Sequence, residues 1–442
     1  MQLDENKDTI VALSSGGLPS GVAIIRLSGD KSLYILNKFC NFDPKSHELA
    51  FKNIYFDGKL LDKGLVVYFK APNSFTGEDV VEFQIHGSVA IVRAMIDAIC
   101  SFEGVRLAQS GEFIRRAFIN GKLDLLEVEG ISDLLEAETE SQRILAVARM
   151  DGELSKKIDD WRNILLSLRG EIEANLDFND EGDVGDILPD YFYENLEDLE
   201  NSLKNTLIGF NQGRIIRDGF RIAIAGLPNA GKSSLINMLS KSDLAIVSEE
   251  EGTTRDIREV EMNIAEQLVI FIDMAGLRNS TSDAENQGIK RAETEIKNAD
   301  LVLWLSSPDA PKNNEFQRQK IITSAPIFHI GTKSDIGENP LNVDLEISCL
   351  NRSGIELLLE KIKDYINKIN INNTPILISR TRDKNAINAT IDLIKKTRTN
   401  IENPEIAADF LRQASNELSR LIGIMEPEQV LGQIFSNFCI GK

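Results

Sequence analysis

Apolar and polar positions along the chain fall into three textures. Up to about residue 118, β-branched runs alternate with turn residues. Val22-Ala-Ile-Ile-Arg26, Leu65-Val-Val-Tyr-Phe69 and Val80-Val-Glu-Phe-Gln-Ile85 read as strands, with a helical pattern from Val89 to Cys100 among them. From Leu123 to about Gly213, apolar residues recur at three- and four-residue spacing, through Ile131, Leu134 and Leu135 and again through Ile164, Leu165 and Leu168. That period predicts long helices, with few breakers besides Gly182-Asp-Val-Gly185 and Pro189. From Phe220 to about Ile369, five apolar strands alternate with helical segments: Phe220–Ala225, Leu268–Ile272, Leu301–Leu305, Ile327–Ile330 and Leu345–Ile347. Such alternation predicts a parallel sheet with helices on both faces. Helical texture returns after Pro375, with breaks near Pro404 and Pro427.

The expected fold is therefore multidomain, α/β plus all-α. An α+β domain spans residues 1–119, and residues 120–216 form the first part of a helical domain. A nucleotide-binding domain with a mostly parallel sheet is inserted at 217–374, and 375–442 completes the helical domain. Compact domains have neighbouring ends, so such an insertion is tolerated.

Composition narrows the class. Hydrophobic residues make up 42% and charged residues 27% of 442, an ordinary globular balance. No run approaches the roughly 18 apolar residues of a membrane span, and the start lacks a basic region followed by an apolar one. Four cysteines, Cys40, Cys100, Cys349 and Cys439, lack CxxC spacing, so neither a disulfide framework nor zinc is expected. A reducing cytoplasm and no membrane partner follow as expectations. The formal charge of −20 argues against non-specific coating of nucleic acid. Much of the acidity is local: Glu171 to Glu200 holds twelve Asp and Glu and no Lys or Arg. That segment reads either as a solvated helix face or as a surface for a basic partner.

The chemistry is concentrated in the inserted domain. Gly226-Leu-Pro-Asn-Ala-Gly231-Lys232-Ser233 fits GxxxxGK[ST], between an apolar strand and a helix from Ser233 to Leu239. Its glycines let backbone N–H groups turn around phosphates, Lys232 reaches the β- and γ-phosphates, and the Ser233 hydroxyl meets Mg²⁺. Asn229, Ala230, Gly231 and Ser234 complete the phosphate cradle. Strand Leu268–Ile272 ends in Asp273-Met-Ala-Gly276, a carboxylate for the Mg²⁺ shell and an amide that senses the γ-phosphate. Gly252-Thr253-Thr254-Arg-Asp256 lies between, with Thr254 as a further Mg²⁺ ligand. Thr332-Lys333-Ser-Asp335 follows strand Ile327–Ile330. Asp335 accepts from guanine N1–H and N2–H₂, and Lys333 packs over the base. Ser348-Cys349 supplies a backbone amide for guanine O6.

Five such motifs in order, at strand ends, define a guanine-nucleotide-binding, Ras-like P-loop domain. Three departures stand out: Met274 replaces the usual threonine, TKxD replaces NKxD, and Leu277 follows Gly276. Ras-type enzymes place a water-orienting glutamine at that last position, which an apolar side chain cannot replace.

Together with further blocks, the chain resembles the bacterial tRNA-modification GTPase family MnmE, also called TrmE. The blocks are Asp8-Thr-Ile-Val, Gly21-Val-Ala-Ile-Ile-Arg26-Leu-Ser-Gly29 and Ser74-Phe-Thr-Gly77-Glu-Asp-Val-Val-Glu82-Phe-Gln-Ile-His86-Gly87. Gly111-Glu-Phe-Ile-Arg-Arg116-Ala-Phe-Ile-Asn-Gly121-Lys122-Leu-Asp124 and Phe438-Cys439-Ile-Gly-Lys442 complete them. The resemblance implies a folate-binding N-terminal domain that forms a homodimer. It implies a complex with the FAD enzyme MnmG, so that FAD sits on the partner only. The product would be an aminomethyl or carboxymethylaminomethyl group on C5 of the wobble uridine of certain tRNAs. The one-carbon unit would come from a 5-formyl- or methylene-tetrahydrofolate.

By position, folate contacts fall on Arg26, Glu82, Lys122 and Lys442. Cationic groups suit the glutamate tail and Glu82 the pterin N–H edge. The resemblance also implies K⁺ beside the phosphates, held by Asn229, Ser248, Glu250 and Thr253, and a catalytic water-orienting Glu285. Catalysis would then rest on Glu285, Lys232 and Asn229. Two readings of Cys439 stand: a small buried apolar residue, or a thiol acting beside folate. His86 divides likewise between a folate contact and a structural role. Two rival functions remain at this stage, a regulatory GTPase that binds RNA or ribosomes and a one-carbon enzyme with a merely regulatory GTPase.

Overall fold

Two six-stranded sheets organise the chain in a computed structural model. It describes residues 8–178, 188–226, 229–246, 259–274, 294–309, 323–339, 342–369 and 376–424, together with 432, 434–436, 438 and 441. The chain divides into two compact units. One comprises Met1–Ser132, Met150–Leu165 and Ser415–Lys442, the other Asp133–Arg149 and Leu166–Ala414.

The first unit is built on strands β1 (Thr9–Leu13), β2 (Ser20–Ser28), β3 (Ala50–Phe56), β4 (Lys59–Phe69), β5 (Val80–Gly87) and β6 (Val105–Leu107). Their order is β3-β4-β5-β2-β1-β6, antiparallel except for the β1–β6 pair. Alternation along β5 explains its two faces. Val81, Phe83 and Ile85 are buried with apolar residues of helices α1 (Ser32–Cys40) and α2 (Val89–Cys100). Glu82, Gln84 and His86 point the other way, because successive strand side chains alternate. On that second face α3 (Glu112–Ile119) covers the β1 end, where Phe113 packs with Ile10 and Ala12.

The second unit holds β7 (Phe220–Gly226), β8 (Glu259–Ile264), β9 (Gln267–Asp273), β10 (Leu301–Ser306), β11 (Ile327–Gly331) and β12 (Leu345–Glu346). Their order is β12-β11-β10-β7-β9-β8. All neighbours are parallel except β8 and β9. The expected mostly parallel sheet is thus observed, with five strands where the sequence placed them. The unforeseen one is β8, a half-buried antiparallel edge with an exposed–buried alternation. One face of the sheet packs on α9 (Lys232–Leu239) and α10 (Ile355–Ile369), through Leu235, Ile236, Leu358 and Ile362 against Ile222, Ile224, Leu303 and Leu305. Burying each such side chain stabilises by about 1.5–3 kcal/mol.

The helical texture resolves into α4 (Leu125–Leu135), α5 (Glu140–Met150), α6 (Glu153–Phe178), α7 (Asp190–Ile208) and α8 (Phe210–Asp218). It is more broken than the periodicity implied. Gly152, at φ +72°, separates α5 from α6 in a backbone region that favours glycine. Helices α11 (Thr381–Thr399) and α12 (Pro404–Leu421) follow the nucleotide-binding sheet, and α7 packs against α11. Among the described residues no helix is long and apolar enough to cross a membrane.

Candidate active site

The carboxyl ends of β7, β9, β10 and β11 converge on the loop between β7 and α9. Two residues at its rim adopt left-handed backbone, Asn229 at φ +64° and Gly231 at φ +84°. Gly231 caps α9, so the helix starts at Lys232 with its free N–H groups facing the loop. A Cβ at Gly226 would run into the backbone of Leu305, which fixes the spacing of β7 and β10 at this edge. Lys232 is almost fully buried, and its Nζ donates to the Gly226 carbonyl at 3.0 Å. The Ser233 hydroxyl donates to Asp273 Oδ2 at 2.9 Å, and Asp273 is only 1% exposed. A hydroxyl and a buried carboxylate side by side are hard oxygen donors suited to Mg²⁺. Ser234 follows on the exposed side of α9.

The base-recognition side is tied to the same edge. Thr332 Oγ1 donates to the Ala230 carbonyl at 2.8 Å and to that of Ser306 at 3.0 Å. Asp335 Oδ1 accepts from the Ser348 hydroxyl at 2.5 Å. The Ser334 N–H donates to the Ile347 carbonyl at 3.2 Å. These bonds align Asp335 and Ser348 beneath the loop. Lys333 is held by Asp309, at 2.7 Å, and this hydrogen bond lowers the Asp309 pKa. Cys349 is half-buried. Burial, reinforced by the charge of Asp335, raises its thiol pKa, so it stays protonated. Ser248, Glu250, Thr253, Thr254, Gly276, Leu277, Glu285, Cys439 and Lys442 lie outside the described residues.

A second polar cluster occupies the open face of the first sheet. Arg26 and Glu82 are cross-strand partners on β2 and β5, and Arg26 Nε donates to Glu82 Oε1 at 2.8 Å. The guanidinium stands 5.8 Å from the ring centres of both Phe75 and Phe113. Lys122 comes to the same neighbourhood: a Cβ on Gly77 would lie 3.3 Å from its Cγ. Asn120 Nδ2 donates to the Thr76 carbonyl at 2.7 Å. Gly441 arrives from far along the chain, its carbonyl accepting from the Ser14 hydroxyl at 2.9 Å. A Cβ there would strike the Leu13 carbonyl oxygen. Arg26, Glu82 and Lys122 thus gather around one loop, residues 74–79. His86 stands apart, its exposed ring turned by Asp62 at 2.9 Å.

Sequence reading missed the groups that hold this loop. Arg116 Nη1 donates to Glu78 Oε2 at 2.9 Å, and Nη2 to Glu112 Oε1 at 3.1 Å and the Asp8 carbonyl at 2.9 Å. Ser28 bonds both Glu78 at 2.6 Å and Thr76 at 2.7 Å. Burial alone would raise the Glu112 pKa, but the hydrogen bond from Arg106 and further donors bring it below the usual carboxylate value. The signal was present, since Phe75, Glu78, Phe113 and Arg116 all sit inside the two motif blocks. In the nucleotide site, Asp309 and Asn339, which donates to the Ser306 carbonyl at 3.0 Å, carried no motif.

A glycine-cornered loop, its helix, a hydroxyl–carboxylate pair and a TKxD corner at one sheet edge define a P-loop GTPase. The chain matches the family description "GTP-binding protein TrmE N-terminus" over residues 9–122 and "MnmE helical domain" over residues 125–439. It is 42% identical to the tRNA modification GTPase MnmE of Rhizobium johnstonii, over 98% of this chain and 99% of that one. With the same protein of Bartonella tribocorum it shares 39%, over 98% and 100%. The chain is also similar to the solved G domain of the T. maritima FeoB iron transporter. That match has 24% identity over 33% of this chain and 97% of that one, with a TM-score of 0.26. The chain belongs to the MnmE (TrmE) family of tRNA modification GTPases, as its sequence blocks had implied.

Proposed function

We propose that this GTPase acts on tRNA as a K⁺-dependent homodimer. Working with an FAD-carrying MnmG partner, it installs an aminomethyl or carboxymethylaminomethyl group at C5 of the wobble uridine. The one-carbon unit comes from a 5-formyl- or methylene-tetrahydrofolate. The observation that carries this reading is the gathering of Arg26 and Glu82, on one face of the first sheet, with Lys122 around the 74–79 loop, outside the nucleotide motifs. A purely regulatory GTPase has no use for it.

At the nucleotide site, Lys232 and the α9 N-terminus receive the phosphates, and Asp335 with the amides near Ser348 and Cys349 selects guanine. Ser233, Asp273 and Thr254 would hold Mg²⁺, which when bound neutralises charge shared by the β- and γ-phosphates. Asn229, exposed at the loop rim, would share K⁺ with Ser248, Glu250 and Thr253. Glu285 orients the attacking water in place of the glutamine that Leu277 excludes. At the second site, Glu82 accepts from the pterin N–H edge, Lys122 and Lys442 meet the glutamate tail, and Arg26 orients Glu82 through its Nε hydrogen bond. The open face supports the homodimer. Phe51, Leu65, Gln84 and Ile24 form a row across β3, β4, β5 and β2, and Phe51 is 67% exposed. In this reading residues 1–119, 120–216 with 375–442, and 217–374 are the three working domains, and the protein acts in the cytoplasm with its tRNA.

The test is GTP turnover in KCl against NaCl at equal ionic strength, with 5-formyl-tetrahydrofolate binding measured in parallel. Stimulation by K⁺, lost in Asn229→Ala and Glu285→Ala, together with folate binding lost in Glu82→Gln, is the expected result. Equal turnover in both salts removes the cation mechanism. Absence of folate binding removes the one-carbon role.

A further inference from the structure

The β8–β9 hairpin ends in Asp273, the carboxylate that meets Ser233 in the nucleotide site. β8 follows the 247–258 segment with Thr253 and Thr254, and β9 ends at Asp273. Its two-residue turn, Ala265-Glu266, has φ values of +55° and +62°. Such a turn favours Asn or Gly at both positions, so two residues with Cβ atoms hold it under strain. Strain of this kind persists where surrounding contacts over-determine the backbone. The contacts here come from α5. The Ser141 N–H donates to the Glu266 carbonyl at 3.3 Å, and Gln267 Nε2 donates to Ser141 Oγ at 2.5 Å. Gln267 is 5% exposed although it carries a polar amide. On β8, burial and then the neighbouring Glu138 raise the pKa of the Glu261 carboxyl.

The same helix holds both backbone connections to the nucleotide-binding sheet. On the incoming side, Gln142 Nε2 donates to the Arg217 carbonyl at 3.2 Å, three residues before β7 begins. On the outgoing side, Arg149, 1% exposed, donates through Nη1 to Asp383 Oδ2 at 2.9 Å and to the Leu377 carbonyl at 3.3 Å. The two connections also touch each other, since a Cβ on Gly213 would strike the Ile378 carbonyl oxygen. Eleven residues of α5, about 16 Å of helix, therefore link the hairpin turn to both connections.

We propose that α5 is a transmission lever. The Ser141–Gln267 contact passes the nucleotide state of the G site, through the strained β8–β9 turn, to the helices that carry Arg217 and Asp383. Movement of β9 with Asp273 shifts the turn, and the turn moves α5 as one body because its far end is pinned by Arg149. Linkage is reciprocal, so the helices bias the nucleotide site by the same factor. Ser141 and Gln267 are positioning residues that touch no phosphate. This inference rests on the GTPase class alone and is independent of folate and K⁺.

Hydrogen exchange of the full-length protein, loaded with GDP or with a non-hydrolysable GTP analogue, reads the lever directly. In the native protein, α5 amides are expected to differ between the two states by about fivefold or more, the lower end of ordinary allosteric coupling. Ser141→Ala abolishes that difference and, by linkage, shifts the affinity ratio of analogue to GDP by no more than the same factor. Ser141→Thr, which keeps the hydroxyl, restores it. Three results overturn the proposal: no nucleotide-dependent difference in the native α5, an undiminished difference in Ser141→Ala, or no rescue by threonine.

Discussion

The nucleotide site draws Lys232, Ser233, Asp273, Thr332 and Asp335 from one edge of a single sheet, where short side-chain bonds link neighbouring strand ends. The Arg26 cluster is assembled differently. It brings Arg26, Phe75, Glu82, Phe113 and Lys122 together from separate segments of the chain, and side chains hold it. Motif-built sites concentrate their sensitivity in a few reactive atoms. Long-range sites spread it over the glycines and ion pairs that let distant segments approach.

The sharpest way to break that contrast is Lys232→Ala. It should lower GTP turnover by about 10²–10³-fold, the loss typical of removing one preorganised charge stabiliser. A melting profile that stays native would show the damage to be chemical. Next, Gly111→Ala combines a φ of +66° with a clash against the Phe435 carbonyl. It should destabilise the first unit by about 3 kcal/mol, visible as an earlier thermal transition with GTP affinity unchanged. Loss of GTP affinity in this variant would erase the distinction drawn here.

Arg26→Ala leaves Glu82, 15% exposed at its side chain, without its cation. About 1.5 kcal/mol of stability is expected to go in denaturant titration, and Arg26→Lys should recover only part, because the guanidinium is also flanked by two rings. The smallest effect is a pH trend. The folded Glu112 pKa lies below the ordinary 4.5, so the native state binds fewer protons there than the unfolded chain. Its contribution is complete above about pH 4.5 and fades as pH falls through the lowered folded value. The gap in melting temperature between the native protein and Glu112→Gln should therefore narrow from pH 6 to pH 3. A constant gap would mean that Glu112 acts by shape alone.

How much was legible follows the same division. Strand ends carrying Gly226, Asp273 and Asp335 could be read because apolar runs and motif residues adjoin in sequence. Strand β8 was missed since Glu259, Glu261 and Asn263 interrupt its apolar positions, a pattern that only an edge with one wet face explains. The helix breaks at Gly152 and Gly209 were hidden by a periodicity that carries across them. Arg26, Glu82 and Lys122 were identified by resemblance. Nothing in their spacing announced that the 74–79 loop would join them, or that Arg116 would anchor it. Long-range ion pairs leave no periodic trace. The buried Arg149–Asp383 pair, 234 residues apart, illustrates this best.

The bond from Ser14 to Gly441 closes a loop of 427 residues, which sets a clock on biosynthesis. At 5–20 residues per second, about 20–90 s separate the emergence of the two partners from the ribosome. The first sheet can pair its strands early, yet the neighbourhood of Leu13 and Ser14 waits for Gly441. Until Gly441 has emerged, Ser14 lacks this acceptor.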